Sequence, residues 1–221
     1  MISGWTRSGA LRVIGVMLLF AWSGAIAQKT PDGPATDDEG SSDSPLIRAI
    51  VEGNETRARQ LVEGGASPNQ KDRFGGTPLG VAVTTQHSDL AEFLVKRGAD
   101  VNLTEARSES PLMAAASVCD VRMARFLLEH GARADHKDDG GGTPLSIAAH
   151  TCQDGDMVRL LVAYQGKVSS SDTFGNTPLT VAAFNGNEPV TRELIRAGAD
   201  LSAKNREGKT AEDIALSLIH I

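Results

Sequence analysis

The chain has 221 residues, 28 acidic and 22 basic side chains and a net charge of −6 at neutral pH, with 4% aromatic residues. That length admits one or two ordinary domains. Its basic residues are scattered and outnumbered rather than gathered in a stripe, which speaks against nucleic acid as a partner.

The first 27 residues read as a secretory signal. Arg7 and Arg12 precede an apolar run from Val13 to Trp22, and the small-residue site Ala25-Ile26-Ala27 stands before Gln28, so cleavage is expected after Ala27. The run is about half of the roughly 20 residues needed to span a bilayer, which argues against a retained anchor. No Cys follows the site to take a lipid. From Gln28 to Asp43 the composition turns to Pro, Gly, Ser, Thr and acids, with Ala35 the one aliphatic residue outside the prolines. Such a stretch buries too little to offset its ordering entropy, and 28–43 is expected to be a disordered acidic leader or tether.

From residue 44 onward the chain repeats. Ser/Thr-Pro recurs at Ser44, Thr77, Ser110, Thr143 and Thr177, and Gly208-Lys209-Thr210 continues the series without its proline. The steps are 33 residues except between Thr143 and Thr177, which carries one extra. Five positions after each anchor stand Ala49, Ala82, Ala115, Ala148, Ala182 and Ala215, and a Leu-aliphatic pair follows at Leu61, Leu94, Leu127, Leu161 and Leu194. Glycine closes the unit at Gly65, Gly98, Gly131 and Gly198, with Gln165 in that place in the fourth unit.

These spacings predict two short antiparallel helices per unit. The hydroxyl caps the first helix and proline takes its first position, where no donor is missed. The closing glycine ends the second helix in a left-handed conformation. The aligned alanines let neighbouring first helices approach closely, and the Leu-aliphatic pairs fill the layer between units. One unit has too little core alone, so stacking is obligatory. Residues 44–221 should therefore form an all-α solenoid of five full units and a half unit, the fourth locally irregular.

The segments Thr77-Pro78-Leu79-Gly80-Val81-Ala82, Gly98-Ala99-Asp100-Val101-Asn102 and Asp172-Thr173-Phe174-Gly175-Asn176-Thr177-Pro178-Leu179 resemble the ankyrin-repeat consensus. The place of that family's usual histidine is taken by Ile47, Gly80, Met113, Ser146 and Thr180, so its hydrogen bonds should be missing. The resemblance implies a binding surface on the concave side, from hairpin tips and the exposed ends of the first helices. Carried over, the candidate contact residues are Arg73, Phe74, Arg107 and Phe174 on the tips and His150, Phe184 and Asn185 on the helices. Phe184 is the leading single contact, because aromatic anchors dominate interfaces.

Chemistry is sparse. Asp89 and Asp156 fall at helix starts and Asp72, Asp138 and Asp172 in turns, which accounts for them without catalysis. Asp139-Gly140-Gly141-Gly142 reads as a hairpin turn rather than a phosphate cradle, and no nucleophile elbow or paired-histidine motif is present. No catalytic, cofactor or metal site is assigned. Cys119 and Cys152 lie nine residues after their anchors, where Gly53 and Gly186 stand in other units. An oxidising compartment favours a bridge between them. Geometry opposes it, since equivalent positions on stacked helices lie about 8 to 10 Å apart and a disulfide needs Cα atoms roughly 4.4 to 6.8 Å apart, but the insertion near Cys152 can close that gap, and the bridge is expected over two free thiols.

The function expected from these features is a periplasmic protein-binding module, an inhibitor, immunity or protective partner of an exported enzyme. It would act as a monomer, with another protein as partner and no stable membrane insertion after signal cleavage. Secretion beyond the cell is the alternative location. Links with toxin immunity or peroxide defence are what the resemblance to exported bacterial members implies. The competing class is a redox or metal-handling stress protein using Cys119, Cys152 and His150.

Overall fold

The computed structural model describes residues 44–219, and the expected signal and leader segments lie outside them. Eleven α-helices and one short 3-10 turn make up the described chain, with no strand among the described residues. In chain order they are α1 (Pro45–Val51), α2 (Glu55–Glu63), α3 (Pro78–Thr84), α4 (Ser88–Lys96), α5 (Pro111–Ser117) and α6 (Val121–Glu129). There follow α7 (Pro144–Thr151), α8 (Asp156–Ala163), α9 (Pro178–Phe184), α10 (Glu188–Arg196) and α11 (Ala211–Ile219). The all-α solenoid expected from the repeat is what forms.

Odd-numbered helices make one layer, each packed on the next from α1 to α11, and each of α1 to α9 also packs on the helix that follows it. The anchor alanines explain the close inner layer: Ala82, Ala115, Ala148 and Ala182 are completely buried, and Ala49 nearly so. Leu94, Leu127, Leu161 and Leu194 are completely buried between units. Ile195 departs from expectation and is exposed, as is Leu201. Among the described residues no outer helix packs beyond α10 at these side chains.

Proline opens α1, α3, α5, α7 and α9, and a hydroxyl caps four of these five helices. Thr77 Oγ1 accepts from Gly80 N, Ser110 Oγ from Met113 N, Thr143 Oγ1 from Ser146 N and Thr177 Oγ1 from Thr180 N. Ser44 departs from the pattern and makes no side-chain cap. The closing glycines are left-handed as expected, with φ between 86° and 99°, and Gln165 adopts the same region at φ 66°. The extra residue of the fourth unit lengthens α7 to eight residues and leaves α8 with Gly155 as an N-cap that has no side chain to offer.

Candidate protein-binding surface

Between units, hairpins project from the helix layers, and an Asx turn shapes most of them. Asp72 Oδ1 accepts from Phe74 N and Gly76 N, Asp138 Oδ1 from Gly142 N, Asp172 Oδ1 from Phe174 N and Asn176 N, and Asn205 Oδ1 from Glu207 N and Lys209 N. These acids are turn-formers, as expected. Successive tips are joined through backbone: Asp139 N donates to Arg107 O, Thr173 N to Gly140 O and Arg206 N to Phe174 O, at 2.8 to 3.0 Å. The tips from the third to the sixth unit therefore form one continuous row.

On that row Phe174 is 51% exposed, and Phe74, on the second tip outside it, is 54% exposed. The Arg73 guanidinium lies 4.6 Å from the Phe74 ring centroid, so these two candidates pair with each other by cation–π attraction. Arg107 is exposed at the third tip, where both Arg107 and Ser108 are left-handed at φ 61°.

At the far ends of the inner helices, the hydroxyls are already committed. Thr84, Thr85 and Ser117 donate back to carbonyls of their own helices, and Thr151 Oγ1 makes 2.9 and 3.0 Å bonds with Ile147 O and Ala116 O. What remains outward is the cluster at the end of α9. Phe184, its last residue, is 45% exposed, and the adjacent Asn185 reaches back to α7, with Nδ2 3.1 Å from His150 Nδ1. Because an amide N–H donates, that ring nitrogen is the acceptor of this contact. The structure thus brings His150, Phe184 and Asn185 together and leaves Arg107 and Phe174 on the tip row, with Arg73 and Phe74 on the second tip.

Cys119 and Cys152 stand at bonding distance, Sγ to Sγ 2.20 Å with Cα atoms 5.5 Å apart. This corrects the helix-spacing argument. The two residues leave their helices differently: Cys119 sits two residues beyond α5 in a left-handed turn at φ 55°, while Cys152 follows the lengthened α7 directly and turns extended at ψ 142°. Both sulfurs are used by each other, and His150 is engaged by Asn185. Among the described residues no group of three or more His, Cys, Asp or Glu side chains is arranged around a common ion.

Sequence reasoning overlooked Glu105. It occupies the Asx-turn place of Asp72 and Asp138, yet its carboxylate turns away from its own tip and accepts from Thr77 N at 2.8 Å and Thr77 Oγ1 at 3.3 Å. The signal was present in the pairing of Glu105 with Gly80, the unit whose missing histidine is replaced by no side chain at all. Asn187 was overlooked too. It is buried, caps α10 through Val190 N, and donates from Nδ2 to Cys152 O in the neighbouring unit.

No described helix is long and apolar enough to cross a membrane. No curated protein matches the chain. The family model for ankyrin repeats in three copies matches residues 17–105, 98–172 and 150–220. These matches run through most of the sequence and agree with the helical stack, and the chain belongs to the ankyrin-repeat family, whose members are in general protein–protein interaction modules rather than enzymes.

Proposed function

We propose that this protein is an exported module that binds another protein, acting in the periplasm as an inhibitor, immunity factor or protective partner of an exported enzyme. The observation that carries the binding part is the His150, Phe184 and Asn185 cluster, an exposed aromatic adjoining an amide–imidazole pair, with Phe174 exposed on the tip row. Aromatic side chains supply much contact area for little lost rotamer freedom, so this is where a partner gains most. Export is supported by the signal-like residues 1–27 and by a cysteine pair suited to an oxidising compartment.

The test is capture from a periplasmic extract with the mature protein and with Phe184→Ala plus Phe174→Ala. Loss of the captured protein from the variant at unchanged thermal stability supports the reading, and equal capture by both overturns it. Export is checked separately by the amino terminus of the recovered protein, which should be Gln28. The redox or metal-handling alternative has less support, because a thiolate ligand set would first require opening the Cys119–Cys152 pair.

A further inference from the structure

After each inner helix the chain turns back to the outer one, and in the first, second, third and fifth units two backbone bonds close that turn. Gly53 N and Asn54 N donate to Ile50 O and Ala49 O, and Gln86 N and His87 N to Val83 O and Ala82 O. Cys119 N and Asp120 N donate to Ala116 O and Ala115 O, and Gly186 N and Asn187 N to Ala183 O and Ala182 O. The first residue of each pair is left-handed, at φ between 55° and 70°. The fourth unit makes neither bond. Its α7 runs on to Thr151, Ala148 O accepts from Cys152 N instead, and Cys152 is extended at φ −81°, ψ 142°. Four residues, 152–155, then lead to α8, where three link the paired helices of the other units.

What holds the fourth turn in their place is the bond from Cys152 Sγ to Cys119 Sγ, with Asn187 Nδ2 donating to Cys152 O and Asp156 N to Asp154 Oδ1. Of these, only the bridge ties the turn to the third unit. Its two sulfurs are unequal: Cys119 is half-buried, whereas Cys152 is 1% exposed. Access helps decide which sulfur a thiolate attacks, and it favours Cys119. Opening strands no buried donor, because Ala116 O lies 3.7 Å from Cys119 Sγ and 3.5 Å from Cys152 Sγ, ready to accept from a thiol.

We propose that the Cys119–Cys152 bridge is a thiol–disulfide exchange site for an external dithiol, and that its opening releases the fourth turn and the adjoining His150–Asn185 contact. One thiolate of the dithiol attacks Cys119 Sγ. The bond between the two cysteines breaks, and its electron pair leaves on Cys152 Sγ, which takes up a proton. The second thiolate then attacks the reductant's own sulfur in the mixed disulfide, Cys119 departs and is protonated, and the dithiol ends as a disulfide. Two electrons and two protons pass from the dithiol to the protein. The end of α7 thereby loses its covalent anchor where Asn185 Nδ2 meets His150 Nδ1 at 3.1 Å and His150 O at 3.4 Å. The exchange site regulates the binding face proposed above, and it rests on that reading for the role of the face alone.

Amide exchange at Cys152 and Asp156 reads the fourth turn, with Gln86 and His87 in the equivalent turn of the second unit as the control. Dithiothreitol in native buffer should open the bridge of the purified protein and speed exchange at Cys152 and Asp156 about tenfold, the equivalent of one hydrogen bond, leaving Gln86 and His87 unchanged. The His150 ring and Asn185 side-chain signals should shift with it. Glutathione, with the emerging thiol alkylated by iodoacetamide, should end on Cys119 and the alkyl group on Cys152. The Cys119→Ser plus Cys152→Ser variant should show the reduced pattern with or without dithiothreitol. A bridge that opens only in urea, glutathione on Cys152, or exchange that rises equally in both turns or in neither would each overturn the proposal. None of these readings uses a partner, so their failure leaves the binding reading standing, and equal capture by Phe184→Ala plus Phe174→Ala removes that reading without touching the exchange site.

Discussion

Cys119 and Cys152 join the third unit to the fourth, the unit that carries the extra residue, across 33 residues of chain. A stack of repeats is stabilised by each unit and each boundary in turn, so a covalent tie at one boundary acts there first. Closing a loop of that length in the unfolded chain is worth about 3 to 4 kcal/mol in the chain-entropy view. Reduction, or replacement of both cysteines by serine, should lower the urea-unfolding free energy by that order, and the double serine variant should no longer respond to reductant. Equal midpoints for the oxidised and reduced protein would show that the bridge does not clamp the boundary.

Much of this fold was legible because its determinants are local and periodic. Thr77 with Gly80, or Gly98 ending α4, can be recognised within one unit, and the 33-residue spacing then places every copy. The exposed aromatics Phe174 and Phe184 were also found by register. Contacts between units were harder to read. Glu105 was overlooked: it stands in the register of Asp72, and only the gap over Gly80, 25 positions earlier, redirects it. The cysteine pair was misjudged in distance because helix spacing applies to residues on the helices, and both residues have already left them. Ile195 carries the apolar signature of its row, yet it stands exposed among the described residues.

Asn187 ties the irregular fourth unit to the fifth. Its Oδ1 caps α10 at Val190 N, 3.2 Å away, and its Nδ2 satisfies the Cys152 carbonyl beside the bridge. Removing the amide takes away a cap worth about 1 kcal/mol and leaves a carbonyl without its donor for about 1 kcal/mol more. Asn187→Ala should cost roughly 2 kcal/mol in chemical denaturation, and Asn187→Asp, which keeps the cap and loses the donor, about half of that. A cost for Asn187→Asp as large as for alanine would refute the division into two roles.

Asp213 sets the acid limit of the last helix. Its carboxylate accepts from Thr210 N and Thr210 Oγ1 at the start of α11, and these bonds hold it below the ordinary value of 3.8, the backbone bond first. A depressed carboxylate stabilises the fold above its unfolded value, and the contribution is lost as pH falls through the folded one. Asp213→Ala should therefore raise amide exchange in the first turn of α11 at neutral pH. The wild-type and variant exchange rates should converge as pH drops below 3.8. A difference that persists in acid would assign the effect to packing instead of the cap.

The end of α8 offers a test of coupling between adjacent residues. Gln165 and Gly166 stand where the other units have Gly98-Ala99 or Gly198-Ala199. The glycines there sit at φ near 90°, whereas Gln165 holds φ 66° and the backbone beyond it leaves no room for a side chain: a Cβ on Gly166 would lie 2.8 Å from Leu161 O. Gln165→Gly removes a left-handed penalty of about 1 to 2 kcal/mol, offset by about 0.4 to 1 kcal/mol of added freedom in the unfolded chain, so a net gain of roughly 0 to 1.6 kcal/mol is expected. Gly166→Ala alone should destabilise, because the carbonyl it meets is helix backbone. Once Gln165→Gly allows the wider φ of the other units, alanine at 166 fits as Ala99 does, and the double variant should be more stable than the sum of the single changes predicts. Urea unfolding of the four proteins measures the coupling, expected at 1 kcal/mol or more for residues in direct contact through one turn. Additive effects would mean that the tight space at Gly166 does not arise from the conformation of Gln165.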